Sequence, residues 1–241
     1  MLSAGAPRTR ATIDDMSIPP DLFAKPLDPE ALQSRQVRVD AEDALADALR
    51  DLLDATIRTK VADDVLAAAT EQVRELTALL STDLHDGALG LQRQPDGRLH
   101  DPGNPMTGRR NAAAPPLQIE RDYDAQTAVT TFNVGAAYEG PPACVHGGVS
   151  ASILDQVLGA AATTTGKPGM TAYLNLTYRR PTFLFQDHTV EGRVIEVSQW
   201  KSLVRGEIRD AEGHVTVEAE GLFVVPRIAR DLLSPPMSDA P

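Results

Sequence analysis

Residues 143–162 read ACVHGGVSASILDQVLGAAA and carry the pattern that decides the fold. From residue 148 to about residue 164 the run is apolar on nearly every side of a helix, which is typical of a helix enclosed by other elements. Asp155 is its single charged residue, and an ionised carboxylate is costly to bury unless it is paired or used. The stretch therefore predicts a central buried helix whose carboxylate is either ion-paired or functional.

Beyond Pro116 the apolar pattern alternates with a period of about 2, which indicates β-strands. Candidate strands cover residues 117–123, 127–134, 171–178, 189–199, 202–210 and 215–225. The sequence DAEGH at residues 210–214 is typical of a hairpin turn between the last two strands. One buried helix beside five or six antiparallel strands predicts an α+β architecture in which a curved sheet wraps the helix.

The chain ahead of this region has a different organisation. Five prolines stand among scattered charges in residues 1–38, which predicts an extended arm. Apolar residues at helical spacing then predict one kinked helix or two consecutive helices, capped by Asp40 and packed along a narrow apolar edge. Recurrent glycine and proline afterwards predict a long loop. The predicted units are an arm (1–38), a helical extension (39–82), a loop (83–114), the main domain (115–227) and a tail (228–241).

Composition excludes several functional classes. The 241 residues carry a net charge of −11, with 9 basic and 16 acidic side chains in residues 1–83 and 14 and 18 in the remainder, so neither part has the basic excess of a nucleic-acid-binding protein. There is no apolar run of about 18 residues and no signal-peptide pattern, which predicts no membrane span and a cytoplasmic location. The single cysteine, Cys144, allows no intrachain disulfide.

Two kinds of catalytic site are disfavoured by spacing. Cys144 lies two residues before His146, and groups so close in sequence rarely face each other as a nucleophile pair must. The five histidines are far apart and show no spacing typical of metal ligands. We therefore expect no metal site.

The start of the predicted helix is suited to a polarised carbonyl. Gly147 and Gly148 allow a ligand to approach the backbone, and the free N–H groups of a first helical turn stabilise negative charge. A plain turn with a packed histidine, His146, is the alternative. Asp155 lies too deep in the helix to act as its cap, so its carboxylate is a candidate general base, a candidate nucleophile or part of a structural ion pair.

The strand TAYLNLTYR at residues 171–179 has two unlike faces. Strict alternation places Ala172, Leu174, Leu176 and Tyr178 on one face, and Thr171, Tyr173, Asn175, Thr177 and Arg179 on the other. The second face is a row of hydrogen-bonding groups that ends in a cation. It is either the solvated side of the sheet or a surface that contacts a ligand.

Three motifs together resemble a known family. YEGPPACVHGG at residues 138–148, the carboxylate of Asp155 and TAYLNLTYRRP at residues 171–181 resemble the hotdog-fold acyl-CoA thioesterases, the group that includes phenylacetyl-CoA thioesterase. The resemblance covers residues 115–227. It implies a hotdog fold and a homodimer or dimer of dimers, with sheets joined edge to edge and active sites at the subunit interface. It also implies an acyl-CoA substrate and no cofactor beyond the coenzyme A of that substrate.

The resemblance further implies roles for individual residues. Asp155 matches the family's catalytic carboxylate, and Gly147 matches the glycine whose N–H polarises the thioester carbonyl, with His146 in the same loop. Thr171 matches the hydroxyl residue that helps to orient the attacking water from the partner subunit. The implied substrate-binding residues are Gly148, Asn175, Thr177, Arg179, Trp200 and Lys201. Gly140 departs from the asparagine that some relatives have in this neighbourhood, so the orientation of His146 is an open question.

Two other functions fit the same residues. One is a hotdog hydratase or dehydratase that acts on acyl thioesters. The other is a non-catalytic acyl-CoA-binding or scaffolding protein in which the N-terminal helices are the working part. Those helices lie outside the resemblance, and their apolar stripe would suit either covering the sheet or building a larger oligomer.

Overall fold

The computed structural model describes residues 29–87, 89–93, 99–227 and 230. In chain order its elements are α1 (Pro29–Arg58), α2 (Asp63–Leu80), β1 (Gln92–Arg93), β2 (Leu99–His100), β3 (Glu120–Asp122), β4 (Thr127–Phe132), a 3₁₀ turn (Ala136–Tyr138), α3 (Gly147–Thr163), β5 (Met170–Tyr178), β6 (His188–Val197), β7 (Lys201–Arg209) and β8 (Val215–Val224). None of these helices is long and apolar enough to cross a membrane.

Six strands form one antiparallel sheet in the order β3-β4-β6-β7-β8-β5, and this sheet wraps α3. Four side chains from two neighbouring turns of α3 are fully buried against the sheet: Ile153, Leu154, Val157 and Leu158. The sheet contributes buried side chains that include Val190, Val204, Ile208, Val217 and Phe223. The predicted α+β hotdog arrangement is therefore confirmed. The first strand is shorter than predicted, because β3 holds only Glu120–Asp122.

A pair of glycines lets the helix lie close to the sheet. Gly192 of β6 and Gly206 of β7 are directly opposite each other in the ladder. A Cβ added at Gly206 would lie 2.6 Å from Cδ1 of Leu158, and one at Gly192 would lie 3.4 Å from the Cα of the same leucine. Side chains here would push α3 outward and open the core.

The edge strand β5 carries a β-bulge that changes which side chains face the helix. In its pairing with β8, Thr171 is opposite Phe223 and Tyr173 is opposite Leu222, so Ala172 is the additional residue. The bulge places Thr171 on the helix-facing side together with Leu174 and Leu176. The prediction that Thr171 shares a face with Asn175 and Thr177 is therefore wrong, because strict alternation does not hold across a bulge.

Helix α1 begins eleven residues before the predicted cap at Asp40, so the predicted arm is wrong for residues 29–38, and residues 1–28 lie outside the described part. Pro29 occupies the first helical position, where its missing N–H costs nothing. Side-chain pairs four residues apart, Gln36 with Asp40 and Arg38 with Glu42, extend the helix across the predicted boundary. Of the two predicted alternatives, one kinked helix or two consecutive helices, the structure has the second, with a break between Arg58 and Asp63.

Arg50 attaches α1 to the predicted loop. Its guanidinium donates to the backbone carbonyls of Arg109, Asn111 and Ala114 at 2.6, 3.0 and 3.1 Å. The predicted loop also contains the short hairpin β1–β2. In contrast, no residue of α2 is buried, so the predicted packing of its apolar edge is not formed within the described protomer.

Candidate active site

Helix α3 has one strip that the sheet does not cover. Its buried side chains lie on the sheet side, whereas Gly148 and Ser152 are exposed and Asp155 is half-buried on the open strip. The predicted enclosure of the helix is therefore incomplete along this strip, and the carboxylate of Asp155 is only half-buried. Because the strip is open, a substrate can reach Asp155 without displacing core side chains.

Asp155 is held by a hydroxyl and not by a cation. The Oγ1 atom of Thr171 donates to Oδ1 of Asp155 at 2.8 Å. Among the described residues, no lysine, arginine or histidine forms a salt bridge with this carboxylate, so the alternative of a structural ion pair within the protomer is not supported. The carboxylate keeps lone pairs free to accept a proton from a water molecule.

His146 caps the helix with its own ring. Its Nδ1 accepts a hydrogen bond from the N–H of Gly148 at 3.0 Å, and its backbone carbonyl accepts from Val149 and Ser150. Since Nδ1 is the acceptor, the neutral ring carries its proton on Nε2. His146 is exposed, so this Nε2–H is available to a ligand as a donor.

The cap changes which glycine can bind an oxyanion. The N–H of Gly148 is occupied by His146, so the prediction that it contributes a free donor is wrong in this structure. The N–H of Gly147 has no acceptor among the described residues. One backbone donor, at the positive end of the α3 dipole, is therefore left for a developing negative charge.

The departure at Gly140 has a structural cause. A Cβ at this position would lie 2.7 Å from Cα of His146 and 3.2 Å from Cδ2 of its ring. The histidine backbone N–H donates to the carbonyl of Tyr138 at 2.8 Å, which brings the two chain segments together. The close approach at Gly140 and the bond to the Gly148 N–H therefore orient His146.

One contact at this site was not expected from the sequence. The hydroxyl of Tyr178, at the end of β5, donates to the carbonyl of Gly147 at 2.8 Å. Alternation does place Tyr178 on the helix-facing side, but a lone tyrosine at a strand end carries no pattern that identifies its partner.

The remaining predicted substrate-binding residues lie away from Asp155 within the protomer. Asn175 and Thr177 are on the outer face of the sheet, where they line a cavity of about 530 Å³ together with glutamates and arginines of β6, β7 and β8. Arg179 pairs with Glu218 at 2.9 Å. The protomer therefore does not bring these three residues to the carboxylate.

Trp200 and Lys201 lie at the hairpin between β6 and β7, beside the loop that follows the C-terminal end of α3. Lys167 of that loop donates to the carbonyl of Ser198 at 3.3 Å. The guanidinium of Arg230 lies 5.5 Å from the centre of the Trp200 ring. The hairpin that carries Trp200 and Lys201 therefore also lies away from His146, which is at the opposite end of α3.

Two further groups of reactive side chains lie outside this site. Cys144 is half-buried, and no hydrogen bond joins its thiol to His146, so the alternative of a Cys–His nucleophile is not supported. Asp210, Glu212 and His214 lie close enough together to share an ion at the β7–β8 turn. Hydrogen bonds from His214 to Asp210 account for this cluster as the closure of the turn.

A solved crystal structure places the fold among known proteins. It is that of a thioesterase superfamily protein, to which this chain is 39% identical with a TM-score of 0.68 over 76% of this chain and 90% of that one. The chain belongs to the thioesterase superfamily. The sequence model of the thioesterase superfamily matches residues 144–217, which include α3 and β5 to β7 and thus Asp155 and Thr171.

Curated members of the thioesterase superfamily show partial matches. The chain is 34% identical over 97 residues to the acyl-coenzyme A thioesterase THEM4 of Mus musculus and 30% identical over 107 residues to that of Bos taurus. These matches cover 40% and 44% of this chain. The chain spans less than half the length of these curated relatives, at 42% and 44%.

Proposed function

We propose that this superfamily member hydrolyses acyl-CoA thioesters to a carboxylic acid and free coenzyme A. The observation that carries the proposal is the hydrogen-bonded pair of Asp155 and Thr171 on the open strip of α3, together with the Gly147 N–H, about two turns away on the same helix, which has no acceptor among the described residues. An oriented, unneutralised carboxylate and a free backbone N–H fit hydrolysis of an activated carbonyl. Since about 12 Å of helix separates the two groups in one protomer, the proposed site pairs Asp155 of one protomer with Gly147 of a second copy. The THEM4 relatives carry the name acyl-coenzyme A thioesterase, which agrees with it.

The proposed reaction uses water as the nucleophile. Asp155 accepts a proton from water while the water oxygen attacks the thioester carbonyl carbon, and Thr171 holds the carboxylate in place. The carbonyl π electrons move to its oxygen, which accepts hydrogen bonds from the N–H of Gly147 and the Nε2–H of His146 in the second copy of the proposed dimer. Collapse of this intermediate breaks the carbon–sulfur bond, and the departing thiolate takes the proton from Asp155.

Direct attack by Asp155 is the other route to the same products. It would form an anhydride between the carboxylate and the acyl group, which water would then open. Single turnover in heavy-oxygen water separates the routes, because only the anhydride route can leave labelled oxygen on the protein. We favour the general-base route, since Thr171 occupies one oxygen of the carboxylate and leaves the other to bind water.

The proposed assembly is a homodimer, or a dimer of such dimers, joined along β5. This nine-residue strand is a sheet edge whose only neighbour in the described part is β8, and an edge with unpaired backbone groups can pair with a second copy. Pairing would bring the outer residues Asn175, Thr177 and Arg179 near the partner's α3, as the family resemblance implies. Sedimentation at low concentration is expected to give at least twice 25.8 kDa, and a monomer would contradict this assembly.

The cellular setting is part of the same proposal. We propose a cytoplasmic role in fatty acyl-CoA metabolism, and the single cysteine, which allows no intrachain disulfide, is compatible with a reducing compartment. Fractionation of cells that make the full protein tests the location.

The experiment that tests the function is thiol release from a panel of acyl-CoA esters, from short to long and including aryl-acyl esters. We expect measurable turnover of at least one ester. Hydration of an enoyl-CoA, assayed in parallel, is expected to be absent. Hydration without thiol release would favour the hydratase alternative, and binding of acyl-CoA without either reaction would favour the scaffolding alternative.

A further inference from the structure

Strand β5 contacts the reactive strip of α3 at two places. Near its start, Thr171 bonds to Asp155, and at its end Tyr178 bonds to the carbonyl of Gly147. The same strand therefore supports the carboxylate and the first helical turn. The backbone of Tyr178 is fixed in turn, because it pairs with Val217 of β8, which is buried.

Besides backbone bonds to the His146 carbonyl and a 2.9 Å hydrogen bond from Ser152 to the Gly148 carbonyl, few contacts hold the first turn of α3. Its first two residues, Gly147 and Gly148, have no side chains, and glycine loses more conformational freedom on ordering than other residues do. His146 secures the N–H of Gly148, but it does not contact the Gly147 carbonyl. Among the described residues, Tyr178 is the one side chain that donates to that carbonyl.

The ring of Tyr178 also closes the space around Gly147. A Cβ added at Gly147 would lie 3.3 Å from the tyrosine Oη and 3.4 Å from its Cζ. The aromatic ring therefore packs against the glycine Cα, while the hydroxyl fixes the direction of the carbonyl. Together they restrict φ and ψ of Gly147, the two dihedrals that set the direction of its N–H relative to the rest of the helix.

We propose that Tyr178 is a positioning residue for the oxyanion donor of Gly147. This inference rests on the proposed hydrolysis, in which the Gly147 N–H stabilises the charged intermediate. Tyr178 does not itself bind the reacting atoms in this scheme. It acts by keeping the first helical turn in the geometry that donates to the oxyanion, and a donor displaced by a small distance loses much of its effect.

The test removes one oxygen atom and leaves the ring. Tyr178 is 54% exposed, so Tyr178→Phe opens no internal cavity. The matched control is Tyr123→Phe, beside β3 at the opposite edge of the sheet, where the tyrosine is 65% exposed. For Tyr178→Phe we expect kcat to fall about 3- to 10-fold, the scale of one neutral hydrogen bond, with KM within about 2-fold. The control is expected to match the unmodified protein.

Hydrogen exchange provides a readout that does not depend on turnover. Tyr178→Phe is expected to accelerate exchange in a peptide that covers residues 146–152, relative to the rest of α3, and Tyr123→Phe is not. The pH dependence of kcat should keep its shape, because the proton is carried by Asp155. A changed pH profile would assign Tyr178 an acid–base role and overturn the positioning role.

The remaining outcomes also decide the inference. Unchanged exchange in Tyr178→Phe, unchanged kcat, or a loss confined to KM would each overturn it. If the unmodified protein releases no thiol from any acyl-CoA, the proposed function fails. The exchange experiment then still reports whether Tyr178 holds the first turn, so the two failures are distinguishable.

Discussion

The hydroxyl of Thr171 donates a 2.8 Å hydrogen bond to Asp155, although one residue belongs to the edge strand and the other to the central helix. The bond exists because the bulge at Ala172 places Thr171 on the helix-facing side of β5. It ties the proposed base to the strand that we expect to form the dimer. The orientation of the carboxylate therefore depends on strand geometry that lies outside the helix.

Replacing Thr171 tests whether this hydroxyl orients the base. Thr171→Val keeps the shape and removes the donor, and a hydrogen bond to a charged group is worth enough that kcat should fall about 10-fold. Thr171→Ser keeps the hydroxyl and should retain kcat within about 3-fold. Steady-state thiol release measures both. Equal activity of the valine and serine variants would show that the hydroxyl has no such role.

His146 has two separable tasks, and two substitutions separate them. In His146→Asn the side-chain oxygen can still accept from the Gly148 N–H, but the Nε2–H is lost. We expect kcat at least about 10-fold lower with the thermal midpoint nearly unchanged. His146→Ala should lose both, with about 1 kcal/mol less stability from the missing cap. If the asparagine variant keeps full turnover, His146 is a cap only.

The close approach at Gly140 predicts that even a methyl group is harmful there. Gly140→Ala places a Cβ 2.7 Å from Cα of His146, so the loop must shift and carry the histidine with it. We expect a loss of about 1–3 kcal/mol in the free energy of unfolding, together with reduced kcat. Gly103→Ala is the control, since its Cβ would meet only ordinary contacts at 3.5 Å or more. Equal stability of the two variants in urea would contradict the packing described for His146.

His188 makes the fold sensitive to acid. The ring is buried and stacks on Phe132, and its Nε2 has no hydrogen-bond partner among the described residues. Burial lowers the pKa of His188, while its bond to the Gln186 carbonyl and the charges of Asp210 and Asp187 oppose that shift.

The unfolded chain takes up the proton near pH 6.5, before the folded protein does. The buried neutral ring of His188 therefore stabilises the folded state above about pH 6.5. This contribution to the free energy of unfolding is lost as the pH falls below that value. His188→Phe should show a smaller drop in thermal midpoint between about pH 7.5 and about pH 5.5 than the unmodified protein. The exposed His85→Phe should behave as the unmodified protein does. Identical drops in all three proteins would show that His188 does not control the acid response.

The periodicity of the sequence predicted the helix and sheet layers of this fold, but it did not predict two features of the site. The apolar run around Asp155 and the alternating strands predict a helix wrapped by a sheet, because burial leaves a periodic pattern. The bulge at Ala172 leaves none, so the face of Thr171 could not be predicted. The cap by His146 was missed for a related reason: a histidine at a helix start can pack, bind a ligand or cap, and coordinates are needed to distinguish these.

The start of α1 was not predicted, because prolines favour an extended arm whereas side-chain pairs spaced four residues apart stabilise a helix in the same region. Pro29 suits a first helical position, and pairs such as Arg38 with Glu42 continue the helix through the region predicted as an arm. The exposed apolar stripe of α2 shows a second limit of prediction from periodicity. Its helical period was correct, but a period does not reveal whether the apolar side finds a contact within the same chain.

The measurement that tests the account most directly is the kcat of Asp155→Asn with the best acyl-CoA found in the panel. Asparagine is nearly isosteric and can still accept the hydrogen bond from Thr171, but it cannot take a proton from water. We predict a loss of at least about 10² in kcat with unchanged thermal midpoint and assembly, whereas Asp187→Asn on the surface should keep full activity. Undiminished turnover by folded Asp155→Asn would contradict the central claim.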